Sequence, residues 1–307
     1  MELSVIIPTK DRGKIFDETL AATVAATNHL DVEIIVVNDS KSGCPIIPAN
    51  FGCVKLIQNE KQGVASARNL GASHSKGLIL LFLDDDILIS TESINQVLKV
   101  HGQVDHAALN LNWVYPLQTL KSLVDHAFGR FLIAHEMTTF KGWYANSTWE
   151  DHSLFQSNSV ASFHLSMPRG DFEKTTGYSE TFPYAGFEDY DFPPRLKDAG
   201  LSFYIDTRVT IFHNESDRGI LSTWLESQER RAFTRRVAVG LGHGELKLSY
   251  AGHKKVLLEL LLFFSPVLML VLNNWLKDNI LDRLYFRLAA ALQAARIYKG
   301  YTRGEAT

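Results

Sequence analysis

Leu78-Ile79-Leu80-Leu81-Phe82-Leu83-Asp84-Asp85-Asp86 decides the fold: six apolar residues run directly into three carboxylates. An apolar run of this length, preceded by Lys76-Gly77, reads as a buried strand. Three adjacent acids repel one another, and partly buried carboxylates call for a cation or strong donors nearby. A solvated acidic turn would satisfy the same pattern. The alternative is a divalent-metal site at the carboxyl end of a central strand, where open α/β sheets bind their ligands.

Upstream, the chain alternates strands with helices. Leu3 to Pro8 is a β-branched run stopped by proline, followed by the polar turn Thr9-Lys10-Asp11-Arg12-Gly13 and a helix over 16–26. A second strand, Val32 to Val37, ends in Asn38-Asp39-Ser40; a third is expected over 54–57 and a small-residue helix over 63–75. Strand–helix–strand order implies a parallel sheet. Polar residues therefore collect at three strand ends: Asp11/Arg12, Asp39 and Asp84 to Asp86. No Gly-x-Gly-x-x-Gly follows the first strand and no Walker lysine loop is present. Gly240-Leu241-Gly242-His243-Gly244 follows a helical, arginine-rich segment and reads as a helix stop.

Downstream, strands are expected over 107–114, 159–166, 203–205 and 209–212, and a helix over 120–133. His213 stands immediately after the last strand, and Glu188-Asp189-Tyr190-Asp191 places three acids within four positions. The chain has 307 residues, 46% hydrophobic and 21% charged, enough for one large α/β domain plus a helical appendage. A net charge of -3 provides no basic field to hold a phosphate backbone, so no nucleic-acid partner is expected. Two cysteines, Cys44 and Cys53, fit reduced thiols. The opening Met1-Glu2-Leu3-Ser4 lacks a basic region followed by an apolar one, so no signal peptide and a cytoplasmic location are expected.

Five motifs in order carry a resemblance to the family 2 glycosyltransferases: Val5 to Arg12, Val36-Val37-Asn38-Asp39-Ser40, Gln58 to Gly71, Leu83-Asp84-Asp85-Asp86 and Phe187-Glu188-Asp189-Tyr190-Asp191. The resemblance covers roughly residues 2 to 215 by the order and spacing of these motifs. It implies an α/β GT-A fold over 1–218, with 219–307 as a helical extension. It also implies inverting, non-processive sugar transfer from a UDP-, GDP- or dTDP-sugar to a carbohydrate or lipid-linked acceptor. Asp86 and His213 are then the expected ligands of a manganese or magnesium ion. Pro8, Thr9, Arg12, Asp39, Arg68, Asp84 and Asp85 become donor contacts, with Asp39 accepting from the nucleobase and Arg68 pairing with the diphosphate or anchoring Asp39. Asp189 becomes the base, shielded by Phe187, Tyr190 and Phe192, and Glu188 orients the base or the acceptor.

Three departures from the family pattern stand out. Asn38 replaces the first of two acids, and the glycine before Ser40 is missing. His164 and Thr176-Gly177 stand where the family often has an asparagine and paired glycines, which bears on acceptor contacts. Gln228-Glu229-Arg230-Arg231-Ala232 partly resembles the Gln-x-x-Arg-Trp motif of processive synthases, but Ala232 occupies the tryptophan's place. The rival readings are a sugar nucleotidyltransferase, which normally needs a basic glycine-rich loop after the first strand, and a binding protein that has lost catalysis.

In the tail, Val256 to Leu272 is interrupted only by Glu259, Ser265 and Pro266 and is preceded by His253-Lys254-Lys255. The run is at the short limit for a span, and Arg283, Arg287, Arg296 and Lys299 follow it. A helical hairpin over 256–275 and 279–299 is expected, lying on a membrane interface on the cytoplasmic side or packing in a homodimer.

Overall fold

The computed structural model describes residues 1–144, 148–182, 184–215, 219–275 and 279–303. The junction expected at residue 218 lies outside the described residues. In chain order the elements are β1 (Leu3–Thr9), α1 (Lys14–Thr27), β2 (Val32–Asn38), β3 (Val54–Gln58), α2 (Val64–Ser73), β4 (Ile79–Leu83), β5 (Ile87–Leu88), α3 (Thr91–His101) and β6 (Ala107–Val114). Then come α4 (Leu117–Val124), α5 (Ala127–Ala134), α6 (Phe140–Trp143), β7 (Leu154–Gln156), β8 (His164–Pro168), α7 (Arg169–Lys174), α8 (Glu188–Asp198) and β9 (Ser202–His213). Four helices end the chain: α9 (Leu221–Gly240), α10 (Gly252–Phe263), α11 (Ser265–Asn273) and α12 (Asp282–Arg303).

The chain forms two compact units. The first, Met1–Val114, Tyr144–Thr181 and Glu188–Asn214, holds one mixed sheet in the order β3-β2-β1-β4-β8-β6-β9-β5, with β7 on β9. β3, β2, β1 and β4 are mutually parallel, as the strand–helix alternation predicts, so their carboxyl ends share one edge. Every residue of β1 is buried, and Ile6, Leu80 and Phe82 enter one core with Met167, Phe172, Tyr178 and Phe192.

α2 lies unusually close to this sheet. A Cβ at Gly71 would fall 2.3 Å from Ile6 Cγ2 and 3.2 Å from Val37 Cγ2, so only glycine permits the approach. The start of α2 is fixed by Asp39: Gly63 N donates to both carboxylate oxygens (2.8 and 3.0 Å), and Asn59 Nδ2 donates to Oδ1 (2.6 Å).

Several expectations need correction. The helix expected over 120–133 is two helices, because His126 is extended and its Nδ1 accepts from Gly129 N, starting α5 afresh. The strand expected over 159–166 is confined to β8. The two strands over 203–205 and 209–212 are one, β9, with a register shift opposite Leu111/Asn112. α3 had not been anticipated; its start is a reciprocal Ser90–Ser93 capping box.

The second unit comprises Tyr115–Trp143, Phe182–Phe187 and Glu215–Thr307. Its long helices α9 and α12 pack so closely that a Cβ at Gly300 would meet the Glu229 carbonyl. Glu229 is buried and paired with Arg296 (3.0 Å) and Lys299 (2.6 Å). The first limb of the expected hairpin is broken into α10 and α11, bent by 59°, with Pro266 in the first turn of α11.

Two predictions follow from this packing. Gly71→Ala should cost about 1–3 kcal/mol by overpacking, read by urea denaturation, whereas Gly170→Ala, whose Cβ meets nothing within 4 Å, should stabilise by up to about 1 kcal/mol. The second concerns acid. Burial pushes His101 and His164 down to about 4, so the folded state keeps both neutral while the unfolded chain protonates near its ordinary value. Stability should therefore be intact above about pH 6.5 and fall toward pH 4 by on the order of 1–3 kcal/mol per histidine. His164→Leu should flatten the profile measured by denaturation at each pH.

Candidate active site

The shared carboxyl edge of β1, β2, β3 and β4 is where the chemistry-bearing side chains gather. Two openings lie along it: a cavity of about 280 Å3 lined by Thr9, Asp11, Arg12, Asn38 and Cys44 among others, and an open cleft of about 500 Å3 lined by Ser40, Gln58 and Asn59. Asn38 spans the two rims: its amide donates to Gln58 Oε1 and to the Gly43 carbonyl, both at 2.8 Å.

The three acids after β4 each meet an arginine, Asp84 at Arg68 and both Asp85 and Asp86 at Arg12. Arg68 Nη2 donates to Asp84 Oδ1 at 2.7 Å. Asp85 accepts from Thr9 Oγ1 at 2.8 Å and faces Arg12 Nε at 3.3 Å. Asp86 accepts from Arg12 Nη2 at 2.7 Å, and its other oxygen lies 3.2 Å from His213 Nε2. Backbone pairing brings this histidine in: β5 follows Asp86 directly and pairs Ile87 with His213, and Asn214 N donates to the Asp86 carbonyl at 2.7 Å. The imidazole is buried, edge-on to Trp113 at 4.7 Å.

Arg68 is the hub. Its side chain is 3% exposed, and Nη1 donates to Glu188 Oε1 at 3.1 Å while Nη2 holds Asp84. The guanidinium also lies 5.2 Å from the centre of the Tyr178 ring. Burial works against this charge, but Asp84, Tyr178, Asp189 and Glu188 together outweigh it and hold the group above its ordinary value. Next to Glu188 at the start of α8, Asp189 accepts from Ser162 N at 3.2 Å.

The acids are under strain from one another. Burial pushes Asp84 above the ordinary carboxylate range; Asp86 and Asp189 add to the rise and Arg68 opposes it. Asp85 is pushed up to about 7, first by burial and then by Asp86, against the pull of Arg12 and Thr9.

Thr9, Arg12, Asp85, Asp86 and His213 thus form one network and Arg68, Asp84 and Glu188 another, joined by the consecutive residues Asp84 to Asp86, with Asp189 beside them. Asp39 sits apart, holding Asn59 and Gly63. Arg68 pairs with Asp84 and Glu188 and not with Asp39, which removes the expected anchoring role. Pro8 lies within β1, in register with Val37. Of the aromatic residues expected about Asp189, Phe192 is buried and Tyr190 is 47% exposed. His164 is fully buried in register with Leu83, so it supports the strand and cannot meet an acceptor there. Gly177 takes the left-handed φ of +72°, where a Cβ would strike Asn69 Oδ1, so the second residue of Thr176-Gly177 is the one the turn requires.

Sequence reading missed Tyr178, Ser162 and Glu215. Glu215 stands two residues beyond His213 at a strand end, the alternation that puts two side chains on one side, and that spacing was its available signal. Asp86 and His213 offer a metal ion a carboxylate oxygen and an imidazole nitrogen 3.2 Å apart, with Glu215 two residues further along the chain.

Residues 4–160 match the family model for Glycosyl transferase family 2. An uncharacterized glycosyltransferase of Haemophilus influenzae is 35% identical over 115 residues, 37% of each chain. Validoxylamine A glucosyltransferase of Streptomyces hygroscopicus subsp. jinggangensis is 28% identical over 224 residues, 65% of this chain and 52% of its own. The chain therefore spans about half the length or less of these curated relatives. In fold it resembles a mannosyltransferase of Pyrobaculum calidifontis solved with GDP-Man and Mn2+, at 15% identity and a TM-score of 0.58, covering 99% of this chain and 88% of that one. With the family match extending over half its length and a GT-A sheet carrying the acids at its carboxyl edge, the chain belongs to glycosyl transferase family 2.

Proposed function

We propose that this protein transfers a sugar from a nucleotide-diphosphate donor to an acceptor hydroxyl, with inversion, one residue at a time and with a divalent metal. The observation that carries the reading is the Arg68 bridge, which ties a carboxylate of the Asp84–Asp86 motif to Glu188 across one guanidinium. Donor-side and acceptor-side acids are thereby held in one frame.

The donor set suits a hard or borderline divalent ion: the carboxylate of Asp86 with the imidazole of His213 favours manganese over magnesium. Such an ion would offset the charge growing on the departing diphosphate. Arg12 and Arg68 stand among five carboxylates, Asp84, Asp85, Asp86, Glu188 and Asp189, and burial with mutual repulsion raises Asp84 and Asp85, a conflict that a bound cation relieves.

The chain's own residues supply the remaining steps. Thr9 and Arg12 hold Asp85 and Asp86 in place, and the Arg12 fork suits a phosphate oxygen as well as it suits these carboxylates. Asp39 keeps acceptor capacity for a nucleobase beyond the bonds it takes from Asn59 and Gly63. Asp189 takes the proton of the acceptor hydroxyl as that oxygen bonds to the anomeric carbon. The carbon–phosphate-oxygen bond breaks on the opposite face, and the nucleoside diphosphate leaves with the electron pair. Ser162 N fixes the Asp189 carboxylate through Oδ1, and the other oxygen is the one available to act as base.

Asp189→Asn should lower kcat by roughly 100- to 10,000-fold while calorimetry shows donor binding nearly unchanged; a variant that turns over normally contradicts the base assignment. Arg68→Met leaves two carboxylates without their shared cation and should cost about 3–5 kcal/mol in denaturation, with Arg68→Lys recovering only part of it because one ammonium cannot serve both acids. Equal stability of Arg68→Met and the native protein would contradict the bridge.

A further inference from the structure

The carboxyl-terminal helices α10 and α11 present an inverted surface. Val256, Leu257, Leu260, Phe263, Phe264, Val267, Leu270 and Val271 are all exposed, from 45% at Val271 to 76% at Phe263. Their spacing follows the helical repeat, so they form the outer face and not scattered exposures. The inner face is apolar as well: Leu258 packs with Ala295 and Tyr298 of α12, and Leu272 is 3% exposed. Polar atoms of the run turn inward. Ser265 is 4% exposed and accepts from Arg296, and Glu259 is half-buried. A helix in water shows the opposite arrangement.

What covers such a face is constrained by its chemistry. A protein partner normally exchanges about one hydrogen bond per 100–200 Å2 with the surface it meets. Here no exposed side chain between Val256 and Leu272 can donate or accept one. Hydrocarbon asks for none. Exposed basic residues occur near it in the chain: Lys254 and Lys255 in the first turn of α10, and Arg283 and Arg287 on α12. Neither helix is a straight span by itself; end to end, the bent pair has the length and composition of a broken one. At about 1.5 Å per residue they are roughly 18 and 13 Å long, against about 30 Å of hydrocarbon, and they meet at 59°. Among the described residues no single helix is long and apolar enough to cross a membrane.

We propose that the outer face of α10 and α11 docks on an anionic lipid surface, with its leucines, valines and phenylalanines seated at the headgroup–acyl boundary and Lys254 and Lys255 against the headgroups. The inference stands independently of the transfer reaction.

Vesicle flotation of the purified full chain tests it. The protein should float with vesicles of roughly seven parts phosphatidylcholine to three parts phosphatidylglycerol, and less with phosphatidylcholine alone. Leu260→Glu/Leu270→Glu should weaken flotation at least about tenfold with an unchanged unfolding temperature, and Lys254→Glu/Lys255→Glu should remove the preference for anionic lipid. Should the leucine variant fail to fold, Phe263→Trp in the otherwise native chain replaces it: the added fluorescence should be quenched by brominated acyl chains. Protein that remains in the bottom fraction with both vesicles, or a tryptophan that brominated chains do not quench, overturns the proposal. So does a native dimer that the leucine variant dissolves while neither form floats, which would assign the face to a second copy.

Discussion

The buried guanidinium of Arg68 is the interaction on which the site depends. A charge 3% exposed is tolerated only because two carboxylates close on it, Asp84 from 16 and Glu188 from 120 residues further along the chain. Reaching them requires α2 to lie hard against the sheet, which Gly71 allows, and to begin at a fixed point, which Asp39 enforces through Gly63 and Asn59. Tyr178 then lies against the guanidinium, and Asn69 holds the Tyr178 backbone at its N–H and carbonyl. A single helix of small residues thus converts the packing of β1 and β2 into the relative position of Asp84 and Glu188.

The second constraint is electrostatic. Adjacent carboxylates at the end of a buried strand are costly, and the fold divides them among Arg68, Arg12 and His213 instead of leaving them to solvent. None of the three partners removes the conflict, since Asp84 remains raised and Asp85 rises to about 7. A site whose acids stay protonated more readily than ordinary carboxylates is one that gains by exchanging a proton or a guanidinium for a cation. This gives the ligand-free arrangement a direct relation to the proposed chemistry.

Much of this was legible in sequence because the governing signals are local. The apolar run into Asp84-Asp85-Asp86 marked β4, strand–helix alternation gave the parallel edge, and the order of motifs placed Arg12, Asp39, Glu188 and His213 at that edge. The failures are tertiary. No local pattern told that Arg68 would choose Glu188 over Asp39, since Glu188 comes to it from 120 residues further along the chain. The break at His126 was hidden inside an apolar stretch that reads as continuous helix. The bend between α10 and α11 was signalled by Pro266, yet the apolar run on both sides masked it.

The account rests most heavily on the claim that the acids about Arg68 and Asp86 form a cation site for a nucleotide diphosphate. Electron paramagnetic resonance of manganese, titrated into the protein with and without a nucleoside diphosphate, measures this directly through the loss of the free-ion signal. The account predicts a single tight manganese per chain, strengthened by the nucleotide, and lost in Asp86→Ala while the variant remains folded. Undiminished manganese binding in folded Asp86→Ala, or no binding by the native protein with any nucleoside diphosphate, would contradict it.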